Sequence, residues 1–319
     1  MIGIVASQQQ KTGTAEHYDD AGGRVCAIVV AYNRAALLRE CLMALRAQTP
    51  PPGALLVVDN ASTDGTRAML RAEFPGATVL ALAANGGGAG GFHAGMKWAY
   101  AQGYDWLWVM DDDARPAPDC LARLLAQARP DRVLVPVQRD SAGRTYGIAE
   151  WRGWEVDVTA EVVAMRQPVN GPFVFRFVGP LIARGVVAQA GLPNKDFFIW
   201  FDDLAYALRI QRKATAEVVV VPDALVFHEF GADPREVRFL GRTSLRRDYA
   251  AWKLYYGSRN YLYVLLWERH DARELGLYFR QQLRHLIGDI IYEHDGWERA
   301  RLRLRGMRDG AIGRLGKRV

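Results

Sequence analysis

Four short runs of apolar residues in the first 110 positions constrain the fold more than any other feature. The runs are continuous rather than alternating, at residues 25–32, 54–58, 78–82 and 106–110, and helix-like segments separate them. Unbroken apolar strands are buried on both faces, and strands that alternate with helices form parallel sheets. The pattern predicts an α/β fold with a mainly parallel central sheet and helices on both faces.

Polar residues follow each of these four runs. They are Asn33-Arg34, Asp59-Asn60, Asn85-Gly86 and Asp111-Asp112-Asp113. Ligands of parallel α/β sheets bind beyond the carboxyl ends of the strands. We therefore expect these four groups to line one crevice.

The acidic triplet, residues 111–113, ends a buried strand and has the chemistry of a metal site. Mg²⁺ and Mn²⁺ take oxygen ligands and keep open positions for phosphates, and carboxylates two residues apart can reach one ion. A diphosphate would then be the natural ligand. The alternative is that the triplet forms a solvated turn that caps the next helix.

A glycine-rich segment, residues 85–92, follows the third strand and enters a helix. The dinucleotide-binding fingerprint belongs after the first strand, where this chain has Tyr32, Asn33 and Arg34, so a redox cofactor is disfavoured. The glycines are explained equally well by close approach of a nucleotide and by tight packing of the strand-to-helix turn.

The net charge of +6 is unevenly distributed. Residues 235–319 hold 19 Lys and Arg against 10 Asp and Glu, a net of +9, which leaves −3 for the rest of the chain. The basic region is either a solvated helical surface or a surface that attracts anionic lipid or a phosphorylated acceptor. It contains no recognised nucleic-acid-binding motif, so we expect no nucleic-acid partner.

Targeting signals are weak in this sequence. Cys26, Cys41 and Cys120 show neither disulfide nor metal spacing, which favours a reducing compartment and hence the cytoplasm. Residues 1–23 are interpreted as a flexible leader rather than a signal peptide. No apolar run approaches the roughly 18 residues of a membrane span, so none is expected.

The motifs together resemble a known family. Segments 27–34, 57–66 and 85–87 and the strand that ends in the acidic triplet resemble, in order and spacing, the donor half of family 2 inverting glycosyltransferases with the GT-A fold. Segments 198–206, 226–228 and 256–260 resemble the acceptor half. They are most similar to bacterial galactofuranosyl- and rhamnosyltransferases that build cell-surface glycans.

The resemblance implies a role for each site residue. Asp203 would be the catalytic base, with Asp202 beside it, and Asp111, Asp113 and His228 would bind Mn²⁺ or Mg²⁺. The nucleotide sugar would be bound by Tyr32, Arg34, Asp59, Asn60, Asn85, Gly86 and Asp112, in which Asp59 accepts hydrogen bonds from the pyrimidine base and Asp112 lies nearer the sugar or ribose. His228 ends a strand-like run, and a structural role for it is equally compatible with the sequence.

The acidic pair Asp202 and Asp203 allows a second interpretation. Either residue could cap a helix over 204–212, because Asp is a preferred N-cap. A helix N-terminus lowers the pKa of a carboxyl group, so a base there would need burial or a neighbouring carboxylate to stay basic. The choice of Asp203 as the base therefore depends on the resemblance.

The resemblance also implies the domain boundaries and the reaction. We expect a GT-A catalytic domain at 24–234, with a donor half at 24–130 and an acceptor half at 131–234, and a basic helical region at 235–319. The enzyme would move one sugar, galactofuranose or rhamnose, from a UDP- or dTDP-sugar to a glycan or polyprenyl-diphosphate-linked acceptor. The alternatives are a sugar nucleotidyltransferase, which should show an early Gly-rich basic loop, and a non-catalytic nucleotide-sugar-binding protein.

An apolar stripe runs through the C-terminal region. Its members recur at spacings of three and four: Leu275, Tyr278, Phe279, Leu283, Leu286, Ile287, Ile290 and Ile291. Such a stripe packs into a core or forms a homo-oligomer contact. Beside the basic residues 299–308 it could instead dock the enzyme peripherally on the anionic inner face of the cell membrane.

Overall fold

The computed structural model describes residues 24–151, 155–229, 234–239, 242–270 and 272–319. The predicted leader, residues 1–23, lies outside them. The first part of the fold contains β1 (Val25–Ala31), α1 (Ala35–Arg46), β2 (Ala54–Asp59), α2 (Thr66–Glu73), β3 (Thr78–Ala81), α3 (Gly87–Ala101), β4 (Trp106–Asp111), β5 (Arg115–Pro116) and α4 (Cys120–Leu125).

The remaining elements complete the central sheet and form the C-terminal region. The middle of the chain contains β6 (Arg132–Arg139), β7 (Thr145–Tyr146), β8 (Ala149–Trp151), β9 (Glu155–Asp157), α5 (Thr159–Met165), β10 (Val169–Asn170), β11 (Phe173–Val174), β12 (Leu181–Ala183), α6 (Arg184–Ala190), a 3₁₀ turn (Lys195–Phe197), α7 (Asp202–Lys213) and β13 (Glu217–Phe227). The C-terminal region contains β14 (Arg235–Phe239), β15 (Arg242–Arg246), α8 (Ala251–Tyr263), a π-helical segment (Val264–Arg269), α9 (Ala272–Tyr292) and α10 (Gly296–Ala311).

The central sheet confirms the predicted fold class. Its main path runs β10-β13-β6-β12-β4-β1-β2-β3 among the described strands. β1 is parallel to β2 and β4, β2 to β3, and β6 to β13. The short strand β12 is antiparallel to both β4 and β6 and joins the two parallel halves. The sequence analysis did not predict this strand.

Helix α2 is capped by Asp64, which lies just outside it. Gly65 precedes the helix, and the carboxylate of Asp64 accepts a hydrogen bond of 3.0 Å from the backbone N–H of Thr66. Asp64 therefore supplies the capping oxygen from one position further out, which satisfies one of the free N–H groups of the first turn.

Packing accounts for several glycines of α3. A Cβ on Gly91 would lie 2.4 Å from Val30 Cγ1, and one on Gly95 would lie 2.5 Å from Ile28 Cγ2. Gly87 has a φ of +71° and its missing Cβ would lie 1.9 Å from the carbonyl oxygen of Phe198. These glycines let α3 approach the sheet and the 198 loop closely.

The C-terminal region begins with a β-hairpin, β14 and β15, and becomes helical only from α8. Helices α8 and α10 meet through backbone, since Cβ atoms on Gly306 and Gly310 would lie 2.3 and 2.4 Å from the carbonyl oxygens of Tyr255 and Arg259. In the part of the chain that the structure describes, no helix combines the length and apolarity that crossing a bilayer requires.

The glycines of α3 allow a direct test of packing. We expect Gly91→Ala to lower the free energy of unfolding by about 1–3 kcal/mol, because the new methyl group collides with Val30. Gly90→Ala is the matched control, since its Cβ meets nothing within 4 Å; we expect it to be neutral or to stabilise the helix by up to about 1 kcal/mol. Urea unfolding of both variants measures the difference, and equal stabilities would contradict this packing.

Candidate active site at the carboxyl ends of the strands

The acidic triplet lies at the end of β4, as predicted, and contacts the residues that follow β1. The carboxylate of Asp112 is buried and accepts a hydrogen bond of 3.2 Å from the backbone N–H of Tyr32. The guanidinium of Arg34 lies 3.3 Å from Asp112 and 2.9 Å from Asp113. Because the triplet is engaged in these contacts, it is not the freely solvated turn that the sequence also allowed.

The three predicted metal ligands lie together in the structure. Side-chain ligand atoms of Asp111, Asp113 and His228 all lie within 4.8 Å of one another. His228 follows β13, and its Nε2 atom lies 3.1 Å from Asp113 Oδ1. Two carboxylates and an imidazole suit Mn²⁺ or Mg²⁺. The residues present therefore fit a divalent cation.

The three carboxyl groups of the triplet are poorly solvated and repel one another when they are ionised. Burial, followed by the charges of Asp113 and Asp112, raises the pKa of Asp111 well above its usual range. Burial also raises the pKa of Asp112 to about 6, against the opposing charge of Arg34. Burial pushes the pKa of Asp113 upward too, but His228 and Arg34 together outweigh it and hold that pKa below its ordinary value. A cation at this place would relieve the repulsion among the three carboxylates.

The predicted nucleotide-binding residues after β2 and β3 are hydrogen-bonded to one another. Asn60 Oδ1 accepts a 2.9 Å hydrogen bond from the N–H of Gly86, and Asn60 Nδ2 donates one of 2.8 Å to the carbonyl of Gly87. Asn85 Oδ1 accepts a 2.7 Å hydrogen bond from the N–H of Gly87. The structure thus brings the ends of β2 and β3 to one edge of the sheet.

The carboxylate of Asp59 is bonded to other groups of the protein. Its fully buried carboxylate accepts a 2.9 Å hydrogen bond from the N–H of Ser62 and forms an ion pair with Arg67. Sequence reasoning missed Arg67, although its place in the first turn of a helix beside the motif is a usable signal. The role of Asp59 in binding the pyrimidine base stays a prediction.

The acidic pair begins α7, two residues earlier than the helix expected at 204. Asp203 Oδ1 accepts a 2.7 Å hydrogen bond from the N–H of Leu204, so Asp203 does satisfy a free N–H of the helix end. Burial, as the largest cause, nevertheless raises the pKa of both carboxyl groups, and the charge of Asp203 adds to the effect on Asp202. Burial thus restores the basicity that the helix end would remove, and only for Asp202 does the neighbouring carboxylate add to this effect.

The acidic pair lies close enough to act on the metal cluster. The charges of Asp202 and Asp203 contribute to the raised pKa of Asp111. The acidic pair and the metal cluster, which are far apart in sequence, therefore lie near each other.

A polar cleft adjoins the acidic pair. It has a volume of about 340 Å³ and is lined by Asp140, Arg144, Thr145, Tyr146, Gly147, Ile148, Ala149, Glu155, Asp157, Arg176 and Arg247. A narrower recess beside Asp203 shares Gly147, Ala149, Glu155 and Arg176 with it.

Arg176 links the cleft to the acidic pair. It lies 3.0 Å from Glu155, and its charge opposes the rise in the pKa of Asp203. Sequence reasoning missed Arg176, whose signal is a single charge between Phe175 and Phe177 in an apolar run.

Comparisons with known proteins agree with this geometry. The sequence model described as Glycosyl transferase family 2 matches residues 26–171. The chain is 31% identical over 261 residues to the galactofuranosyltransferase GlfT1 of Mycobacterium tuberculosis, across 76% of this chain and 82% of the relative. It is 28% identical over 289 residues to GlfT1 of Mycolicibacterium smegmatis, across 83% and 92%.

A solved structure supports the fold. The crystal structure of GalNAc-T7 with UDP, GalNAc and Mn²⁺ superposes with a TM-score of 0.57 at 14% identity, covering 93% of this chain. The chain spans 57% of the length of that protein.

The fold and the site define a glycosyltransferase with the GT-A architecture. More particularly, the chain belongs to glycosyl transferase family 2 and has galactofuranosyltransferases among its relatives.

Removing one metal ligand tests the cluster. We expect UDP with Mn²⁺ to raise the melting temperature of the wild type, since ligand at about 100 times its Kd adds about 2.7 kcal/mol of stability. Asp113→Ala should lose the metal-dependent part of this shift, whereas Asp119→Ala, an exposed acid beyond β5, should keep it. A thermal-shift panel with UDP and dTDP, with and without MnCl₂, measures this. A full shift in Asp113→Ala would exclude the cluster as the metal site.

Proposed function

We propose that this glycosyltransferase is a metal-dependent inverting enzyme that transfers one galactofuranose from UDP-galactofuranose to a glycan acceptor in cell-surface polysaccharide synthesis. One observation carries the proposal: the cluster of Asp111, Asp113 and His228 lies close enough to the largely buried pair Asp202 and Asp203 for the charges of the pair to raise the pKa of Asp111. Inverting transfer needs a site for the diphosphate and a base for the acceptor, and the crevice offers both.

The proposed reaction is a single displacement at the anomeric carbon. The acceptor hydroxyl oxygen bonds to that carbon on the face opposite the diphosphate, and the bond from the carbon to the diphosphate oxygen breaks. Its electron pair leaves with UDP, and the hydroxyl proton passes to the carboxylate of Asp203. Mn²⁺ or Mg²⁺ at the cluster supplies charge neutralisation for the departing diphosphate.

Asp203 is the better candidate for the base. It lines the recess that opens to the polar cleft, and burial raises its pKa, which makes the carboxylate a stronger base than an exposed one. Asp202 is buried, and the charge of Asp203 adds to burial in raising its pKa, so Asp202 is the less easily ionised member of the pair.

The identity of the sugar is inferred from the relatives. Both curated relatives are named galactofuranosyltransferases, which favours galactofuranose over the rhamnose that the motifs also allow. UDP is then favoured over dTDP as the nucleotide. We assign Tyr32, Arg34, Asp59, Asn60, Asn85, Gly86 and Asp112 to this donor.

The acceptor is assigned to the 340 Å³ cleft. Its wall carries carboxylates from Asp140, Glu155 and Asp157 and guanidinium groups from Arg176 and Arg247. Carboxylates accept hydrogen bonds from sugar hydroxyls, and guanidinium groups bind phosphate. This chemistry fits a glycan, including one carried on a polyprenyl diphosphate.

We place the enzyme in the cytoplasm, at the inner face of the membrane where such an acceptor would lie. Tyr278 is buried, but five members of the apolar stripe are exposed: Phe279, Leu283, Ile287, Ile290 and Ile291. Exposed apolar residues within a region of net charge +9 suit an interface of anionic lipid.

The base is tested by neutralising each member of the pair. Asp203→Asn should lower kcat by about 10²–10⁴-fold, the range for loss of a general base, with a smaller effect for Asp202→Asn. Transfer from UDP-galactofuranose or dTDP-rhamnose to a polyprenyl-diphosphate-linked saccharide is the assay. Metal-dependent UDP release without sugar transfer to any acceptor would contradict the proposal, and the reverse order of the two variants would move the role of base to Asp202.

The pH dependence follows from the same pair. A base must be deprotonated to accept the hydroxyl proton, and burial raises both pKa values. The rate of the wild type should therefore rise with pH above the ordinary range of a carboxyl group and then level off, as a property of the coupled pair. The charge of Arg176 opposes the rise in the pKa of Asp203, so Arg176→Gln should move the midpoint of the pH–rate profile to higher pH.

The membrane contact is tested with vesicles. The wild type should sediment with anionic vesicles and not with neutral ones, and salt should weaken the binding. The double variant Leu283→Asp, Ile287→Asp should stay in the supernatant, whereas Met43→Asp, at an equally exposed apolar residue of α1, should bind. A wild-type dimer that the double variant breaks, without vesicle binding by either, would identify the stripe as a subunit contact instead.

A further inference from the structure

The segment of residues 196–201, which leads directly into the acidic pair, has an unusual backbone. Phe198, Trp200 and Phe201 have φ values of 69°, 62° and 65°. Bulky side chains rarely adopt this left-handed region, and such conformations persist only where the surroundings hold them. We call residues 196–201 the acidic-pair loop.

Two adjacent residues of α8 bind the carbonyl groups of this loop. Asn260 Nδ2 lies 3.0, 2.7 and 2.9 Å from the carbonyl oxygens of Phe197, Ile199 and Trp200. Arg259 Nη2 donates to the carbonyls of Phe197 at 2.8 Å and Asp196 at 3.2 Å. Of the five residues from Asp196 to Trp200, all except Phe198 are thus held by their carbonyl groups.

The two donors are themselves held in place. Both side chains are fully buried, and Arg259 Nε donates a 2.7 Å hydrogen bond to Asn260 Oδ1, which turns the amide N–H groups toward the loop. Arg259 Nη1 donates to the carbonyl of Gly316 at 2.5 Å. The close contact of α8 with α10 at Gly306 and Gly310 keeps both residues from shifting.

Burying the charge of Arg259 costs free energy that a purely structural role does not readily explain. Its guanidinium forms no ion pair with an Asp or Glu among the described residues and is bound by carbonyl oxygens, with the ring of Tyr256 at 4.8 Å. Burial lowers the pKa of Arg259, although Tyr255 and the charge of Asp309 oppose this, and a buried charge outside an ion pair is costly to desolvate. The hydrogen bonds from the guanidinium group instead fix the orientation of the loop carbonyl groups.

The opposite side of the loop contacts the donor part of the crevice. The carbonyl of Phe198, which Arg259 and Asn260 leave free, accepts a 3.1 Å hydrogen bond from the N–H of Ala89 at the start of α3. The loop therefore lies between α3 and α8, and its last residue precedes Asp202.

We propose that Arg259 and Asn260 are positioning residues for glycosyl transfer, which hold the acidic-pair loop by its carbonyl groups and thereby set the place of Asp203 against the acceptor. This inference rests on the proposed role of Asp203 as the base. It assigns the C-terminal helical region a part in the reaction that is separate from membrane contact.

The test uses variants that keep the volume or the charge. Asn260→Asp is isosteric and keeps the oxygen that accepts from Arg259, but it removes the N–H groups that bind the loop. Arg259→Lys keeps the charge and loses the fork of donors. Ser258→Ala is the matched control, because Ser258 is buried in the same helix and bonds to Gln282 at 3.0 Å rather than to the loop.

The expected result is a separation of catalysis from donor binding. In the full chain, Asn260→Asp should lower kcat by about 10²-fold, the cost of a misplacement of about 1 Å, with Arg259→Lys less affected. The KM for UDP-galactofuranose and the thermal shift with UDP and Mn²⁺ should change little. Ser258→Ala should keep near wild-type kcat. Added to Asp203→Asn, Asn260→Asp should cause no further loss, because both act through one group.

Other results would overturn the inference. They are a wild-type kcat in folded Asn260→Asp or Arg259→Lys, an equal loss in Ser258→Ala, or losses that multiply with Asp203→Asn. If Asn260→Asp does not fold, Arg259→Lys decides. Wild-type transfer by Asp203→Asn would remove the proposed base and this inference with it, whereas an inactive Asp203→Asn beside a fully active Asn260→Asp would remove this inference alone.

Discussion

Repulsion among buried carboxylates is the constraint on which the site depends. Asp111, Asp112 and Asp113 lie at the end of β4, and Asp202 and Asp203 lie near enough to raise the pKa of Asp111. Charges in a poorly solvated crevice are costly unless they are paired or bind metal. Arg34 offsets part of this cost and is about half exposed, so it can yield to a ligand. The remaining repulsion lowers the stability of the folded protein, and a cation bound at this site would offset it.

The sequence was sufficient to predict the sheet and the half of the site that follows it. Continuous apolar strands indicate a parallel sheet, and a parallel sheet brings the ends of its strands to one edge. The residues after β1, β2, β3 and β4 are therefore neighbours by geometry alone. His228 was also found, because it ends a long apolar strand and the resemblance supplies its partners.

The remaining contacts depend on packing that no local pattern encodes. Strand β12 is three residues long and pairs in the reverse direction, so its apolar run Leu181-Ile182-Ala183 gives no sign of orientation. Arg176 and Asn260 act across 27 and about 60 residues of chain, on Asp203 and on the loop before it. Phe201 has a left-handed backbone that its residue type disfavours, so propensity could not predict where α7 begins.

The backbone contact between α8 and α10 has a consequence for how the chain tolerates change. Gly306 and Gly310 contribute no atoms to the crevice and lie about a hundred residues beyond Asp203 in the sequence. Yet a single added methyl group at either would press on the carbonyls of Tyr255 or Arg259 and move the helix from which Asn260 reaches the loop. If Asp203 is the base that we propose, two missing side chains take part in setting the distance at which a sugar hydroxyl meets it.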